Sequence, residues 1–157
     1  MNIYKTIFLP GRHYHVFNHA ISQELLFKDT DNYFYFTKRM KDHLSKYVEF
    51  KAYCLMPNHF HLLIRVKKFS SDEVEVHKTV LQAFSNFQNG YAKAINKRHG
   101  RKGRLFQSTV SRVSLFEEED IRRCAEYIRQ NPVEHGFCTT PKRWPHVWLA
   151  EAYFNAA

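Results

Sequence analysis

Two histidines, His59 and His61, stand one residue apart in the run Tyr53-Cys-Leu-Met-Pro-Asn-His-Phe-His-Leu-Leu-Ile-Arg65. In an extended chain alternate side chains share a face, so the two imidazoles stand about 6.6–7 Å apart at their Cα atoms and can converge on one ion. Phe60, Leu62, Ile64 and Val66 fall on the opposite face and give the strand an apolar side to bury. A neutral imidazole pair anchored in this way is half of a metal site. Further along, Tyr127 and Asn131 are four residues apart, hence neighbours on one helical face. At ~100° per residue, Tyr127 lies roughly 110° and Asn131 roughly 70° from the centre of the apolar stripe through Ile121 and Ile128. Both flank the helix. If that flank lies against the histidine face, two imidazoles, an amide oxygen and a phenol meet at one place.

The elements that must position these groups are legible in the pattern. Tyr14 to Ile21 reads as a first strand. Asp29-Thr30-Asp31 caps a helix carrying Tyr33, Phe36, Met40, Leu44 and Tyr47. Val48 to Leu55 alternates as a strand, with Val48, Phe50, Ala52 and Cys54 predicted on one buried face, which turns the Cys54 thiol into the core and away from the histidines. Met56-Pro57-Asn58 turns the chain into the His59–Val66 strand. Ser70-Ser71-Asp72 opens a long helix to about Lys97, and Leu105 to Val113 reads as a further strand. Ser114-Leu-Phe-Glu117 is predicted to be a capping box for the next helix, which Asn131-Pro132 should end, since a residue before proline is pushed out of the α region. Glu117-Glu-Glu-Asp120 suits the start of that helix. The order implies an α+β fold with a ferredoxin-like βαββαβ core, an antiparallel sheet, and a C-terminal helix carrying Tyr127. Nothing divides residues 1–157, which read as one domain.

Composition narrows the partners. The 24 Lys and Arg against 15 acidic residues give a net charge of +9, which favours a polyanion. No apolar run approaches the ~18 residues of a spanning helix, and the first residues lack secretory character, so a cytoplasmic protein without membrane attachment is expected. Cys54, Cys124 and Cys138 are odd in number and far apart, and read as reduced packing residues. From Val76 to Phe116 there is no acidic residue. Lys93, Lys97, Arg98, Arg101, Lys102, Arg104 and Arg112 in that interval are the predicted contacts to the phosphates of such a polyanion.

Three segments in order carry a family resemblance: Tyr53 to Ile64, Gly103-Arg-Leu-Phe-Gln107, and Tyr127-Ile-Arg-Gln-Asn-Pro-Val-Glu-His-Gly136, with Tyr14-His-Val-Phe-Asn18 before them. Together they resemble the single-tyrosine HUH transposases, and most of all the branch called REP-associated tyrosine transposases. The resemblance implies cleavage of single-stranded DNA beside hairpins. It assigns the nucleophile to Tyr127 and the ligands of Mg²⁺ or Mn²⁺ to His59, His61 and Asn131. It admits a homodimer with the tyrosine supplied in trans as well as a monomer. Thr109 and Ser111 stand where the family often carries an arginine and a lysine, and Trp144-Pro-His-Val-Trp148 lacks the family's usual Ser-Ser-Tyr after the late tryptophan. Two alternatives share these features: a nucleic-acid-binding module without catalysis, and a nickase of the replication-initiation or relaxase type.

Overall fold

The structure, a computed structural model, describes residues 2–154. Its strands are β1 (His13–His19), β2 (Val48–Met56), β3 (His59–Val66), β4 (Ser111–Leu115) and β5 (Val147–Leu149). Its helices are α1 (Thr30–Leu44), α2 (Glu73–His99), α3 (Glu118–Glu134) and α4 (Glu151–Phe154), with a 3₁₀ turn at Pro141–Arg143. The sheet runs β4-β1-β3-β2-β5 with every neighbouring pair antiparallel. The first four strands reproduce the ferredoxin-like order, with β3 inserted between β1 and β2, and β5 extends the sheet at the β2 edge.

Each face of this sheet is covered by a different set of side chains. Tyr14 and Val16 of β1, Phe60, Leu62, Ile64 and Val66 of β3, and the apolar stripes of α1 and α2 make the larger core. Ala52, Cys54, Met56 and Leu63 pack beneath Cys124, Ala125 and Ile128 of α3 on the other side. β3 is buried nearly throughout because both of its faces are covered. The buried side chains of β1 alternate with half-exposed ones, so His13, His15, Phe17 and His19 face the α3 side with partial access to water.

Four local expectations are corrected. In β2 the register slips between Phe50 and Ala52, so Lys51 is an extra residue. A bulge reverses which residues point to which face. Val48 and Phe50 therefore pack with Tyr53 and Leu55 in the larger core, whereas Ala52, Cys54 and Met56 turn toward α3. Cys54 stands directly across from His61 instead of facing away from it, its thiol buried against the Met56 sulfur at 3.3 Å. Ser114 is not a helix cap, because it pairs with Tyr14 inside β4. Glu117 caps α3, with the Asp120 side chain returning to its amide.

The third correction is that Pro132 lies inside α3. One missing amide is tolerable in the last turn, where Asn131 and Pro132 are both buried and His135 still donates to the Asn131 carbonyl. Finally, Leu105 to Val110 is not a strand but follows the end of β1 irregularly, with one bridge between Ala20 and Phe106. Gln107 donates to the His19 carbonyl, and the buried Asn18 amide donates to Gln88 and the Ser108 carbonyl. These bonds take the place of a ladder. Among the described residues no helix is long and apolar enough to cross a membrane.

Candidate active site

His59 is the first residue of β3, immediately after the two-residue turn Pro57-Asn58. That turn is fastened from outside. The Pro57 carbonyl accepts from the Leu26 amide at 2.8 Å, and the Asn58 carbonyl from Ala20 at 2.9 Å. Behind His59, Nδ1 lies 2.8 Å from Asn58 Oδ1. A carboxamide oxygen can only accept, and of the two facing this ring the Asn58 oxygen is nearer than that of Asn131, 2.8 against 3.2 Å, which favours hydrogen on Nδ1 and a lone pair on Nε2. His61 follows on the same face, and its Nδ1 lies 2.9 Å from His15 Nε2 on β1. With both Nδ1 atoms held from behind, the Nε2 atoms are the pair free to ligate.

Helix α3 supplies the other two groups. Asn131 is fully buried and its Oδ1 stands 3.2 Å from His59 Nε2. Tyr127, one turn earlier, is 42% exposed, and its ring meets His61 edge-on at 5.3 Å between centroids and His15 at 5.8 Å. All four predicted groups therefore converge within one chain. The angular reading placed them together on the helix flank; the depth differs, with Asn131 wholly inside and Tyr127 at the rim.

The electrostatics favour neutral imidazoles and a protonated phenol. Burial lowers His59 to about 4, with the Asn131 contact opposing that shift and His19 and His135 adding to it. Burial and the surrounding histidines lower His61 to about 2. Burial alone lowers His15 to about 4. Near pH 7 all three rings are uncharged, as ligands must be. Burial and the Glu134 carboxylate raise Tyr127, while the neighbouring Asn131 amide acts in the opposite direction.

With Nδ1 protonated, His59 Nε2 and Asn131 Oδ1 direct lone pairs at each other across 3.2 Å. Two ligands at ~2.0–2.2 Å from one ion are separated by about 3.0 Å across an octahedral edge and about 3.4 Å across a tetrahedral one. The observed spacing falls between them. Among the described residues no three His, Cys, Asp or Glu side chains are arranged to hold an ion. The Asn131 Nδ2 atom is buried and has no partner at hydrogen-bond geometry. An orphaned donor of this kind costs about 1–3 kcal/mol, which marks the position as one kept for something other than stability. The residues fit a metal with mixed nitrogen and oxygen ligands.

Four contributors were not singled out by the spacing of the histidine pair. Asn58 sits behind His59, and His15 behind His61. The His19 ring stacks on His59 at 4.9 Å, and the His135 ring lies 4.9 Å from His59. The signal was present in the alternation His13, His15, Phe17, His19, which puts three more imidazoles on one face of β1, His15 and His19 among them at the site once β1 is known to pair with β3.

The basic residues divide. Lys93, Lys97, Lys102 and Arg104 are exposed, and Lys93 and Arg104 line a groove of about 520 Å³ with Asn89, Asn96, Phe106 and Ser108. Arg98 is exposed but pairs with Asp29 and Asp31, tying α2 to the start of α1. Two expectations are corrected. Arg112 is 6% exposed, with its guanidinium donating to the carbonyls of Thr6, Val110 and Lys5, which anchors the N-terminal segment along β4. Arg101 pairs with Glu24 and donates to Asn96, Gly103 and Arg104, knitting its own loop. Neither has a guanidinium free for phosphate.

With this geometry established, known proteins supply a comparison. No protein-family model matches the chain. Over 98 residues the chain is 26% identical to a Haemophilus influenzae protein assigned by its name to the REP-associated tyrosine transposases. That match covers 60% of this chain and 55% of the relative, so it spans about half of the relative's length. The fold resembles a solved REP-associated tyrosine transposase bound to a REP hairpin, with a TM-score of 0.69 and 19% identity over 94% of this chain and 82% of that one. In sequence and in fold, the chain is similar to REP-associated tyrosine transposases. The likeness to the solved REP-associated transposase is one of fold.

Proposed function

We propose that this chain, like the family it resembles, cleaves and rejoins single-stranded DNA beside hairpin-forming sequences through a covalent tyrosine intermediate. The observation that carries the reading is the convergence of His59, His61, Asn131 and Tyr127 around one small space. His59 and His61 through Nε2 and Asn131 through Oδ1 would hold Mg²⁺ or Mn²⁺, with Mn²⁺ favoured by the nitrogen donors. The ion supplies Lewis acidity toward a phosphate oxygen.

Tyr127 Oη attacks the scissile phosphorus, forming a 5′-phosphotyrosyl bond as the bond to the 3′-oxygen breaks and that oxygen leaves as a hydroxyl. The phosphodiester energy is retained in the adduct, so rejoining needs no nucleotide cofactor. A phenol at its ordinary pKa near 10 is only about one part in a thousand ionised at pH 7. Burial and Glu134 push Tyr127 further from ionisation, so the oxyanion must be stabilised as it forms. Asn131 acts from the right side: its neighbouring amide favours the anion, and its Nδ2, without a partner while the phenol is neutral, gains a strong acceptor when charge develops. Because tyrosine and histidines belong to one chain, the reaction as drawn needs no second protomer.

The substrate follows from charge. The groove lined by Lys93 and Arg104 lies between α2 and the segment through Ser108 and offers a phosphate backbone two exposed cations. The hairpin in the solved relative supports a hairpin-bearing substrate here. The test is a denaturing gel with hairpin-flanked single-stranded DNA and Mn²⁺. A covalent protein–DNA band is expected for the wild type and not for Tyr127→Phe. Salt-sensitive binding with no adduct in either protein would select the binding module.

A further inference from the structure

The histidine pair rests on a second layer, and His15 is the member of it that meets His61. His15 and His61 are diagonal neighbours on adjacent strands: His61 pairs with Phe17, and His15 lies two residues before it on the same face. Their rings are tilted 31° at 5.1 Å between centroids, and His15 Nε2 lies 2.9 Å from His61 Nδ1. Two nitrogens so close share one hydrogen. If it belongs to His15, the neutral His61 carries its own hydrogen on Nε2 and cannot ligate through that atom. If it belongs to His61, Nε2 presents a lone pair. The Asn58 oxygen, the nearer of the two carboxamide oxygens at His59, favours the second arrangement there.

We propose that His15 is a positioning residue: its Nε2 accepts the Nδ1 hydrogen of His61 and thereby holds His61 in the tautomer whose Nε2 lone pair faces the site. This rests on the metal-site reading above and names a residue outside its ligand set. Neutral histidine side chains in water prefer hydrogen on Nε2, so the arrangement has to be imposed. An acceptor fixed on a neighbouring strand imposes it without mobile parts. The pair Asn58–His59 and His15–His61 then perform the same task with different chemistry, an amide oxygen in one case and an imidazole nitrogen in the other. Outer groups that orient ligating histidines in this way are worth ~10–100-fold in metal affinity.

The experiment compares wild type, His15→Leu, which removes the acceptor, and His15→Gln, whose Oε1 can take the place of Nε2. The first readout needs no metal: long-range ¹H–¹⁵N spectra of the protein in EDTA at pH 7.5 report the His61 tautomer. Hydrogen on Nδ1 is expected in wild type and His15→Gln, and on Nε2 in His15→Leu. The second is Mn²⁺ affinity by calorimetry, expected to fall ~10–100-fold in His15→Leu and to recover most of the way in His15→Gln. Hydrogen on His61 Nε2 in the wild type overturns the proposal, as does a His15→Leu protein that binds Mn²⁺ like wild type. Should His15→Leu fail to fold, the wild-type tautomer decides. If wild type binds no Mn²⁺, the metal reading fails while the EDTA spectra still judge the hydrogen bond separately.

Discussion

Replacing Asn131 with leucine should make the metal-free protein more stable and the metal-loaded protein less stable than wild type. Asn131 is completely buried, its Nδ2 has no hydrogen-bond partner, and its Oδ1 faces the lone pair of His59 Nε2 at 3.2 Å. An unsatisfied buried donor costs about 1–3 kcal/mol, and an apolar side chain of similar shape removes that cost. In EDTA, Asn131→Leu should therefore gain about 1–2 kcal/mol. A domain of this size shifts its Tm by about 2–4 °C per kcal/mol, so the expected rise is a few degrees. Mn²⁺ reverses the order. At a hundred times Kd a ligand stabilises the native state by about 2.7 kcal/mol, and a site stripped of one ligand gains much less at the same concentration. Paired urea titrations in EDTA and in Mn²⁺ measure both terms. If Asn131 only closes its helix, the leucine variant should lose stability in EDTA and keep the wild-type increment from Mn²⁺. That pattern would refute the reasoning.

Three further outcomes are expected. Metal-free protein should lose stability as pH falls from about 6.5 toward 4, because burial holds His59 and His15 near 4 in the folded chain and they take up protons on unfolding. One such histidine is worth on the order of 3 kcal/mol, read from urea midpoints at pH 7.5 and 4.5, and a flat profile would contradict neutral buried imidazoles. Combining Lys93→Ala, Lys97→Ala, Lys102→Ala and Arg104→Ala should reduce the slope of log affinity against log salt for single-stranded DNA by about 3, measured by filter binding, and an unchanged slope removes the groove from the interface. Arg112→Leu should instead weaken the fold, seen as a lower urea midpoint, and leave that slope as in wild type, since its guanidinium is committed to three backbone carbonyls.

What could be read from the sequence was whatever depended on a period. The alternation through His59 to Val66 fixed the histidine face, and the four-residue spacing of Tyr127 and Asn131 put phenol and amide side by side. Where a single residue breaks a period, the reading fails. Lys51 is that residue in β2, and it moved Cys54 to the histidine side of the sheet. The proline rule is a local steric preference, and the burial of Asn131 and Pro132 overrode it. Arg112 shows the limit of charge counting: composition sees a cation, whereas strand pairing and the N-terminal segment decide that it is buried. His15 was invisible as a partner because its importance exists only through the pairing of β1 with β3.

The most direct test is to find where the DNA becomes attached. Wild-type protein is incubated with hairpin-flanked single-stranded DNA and Mn²⁺, digested with nuclease and protease, and its nine tyrosines are searched by mass spectrometry for a retained phosphonucleotide. The modification should sit on Tyr127 through a 5′-phosphate. A nucleotide on any other tyrosine, or cleavage that leaves no attached nucleotide, would contradict the account.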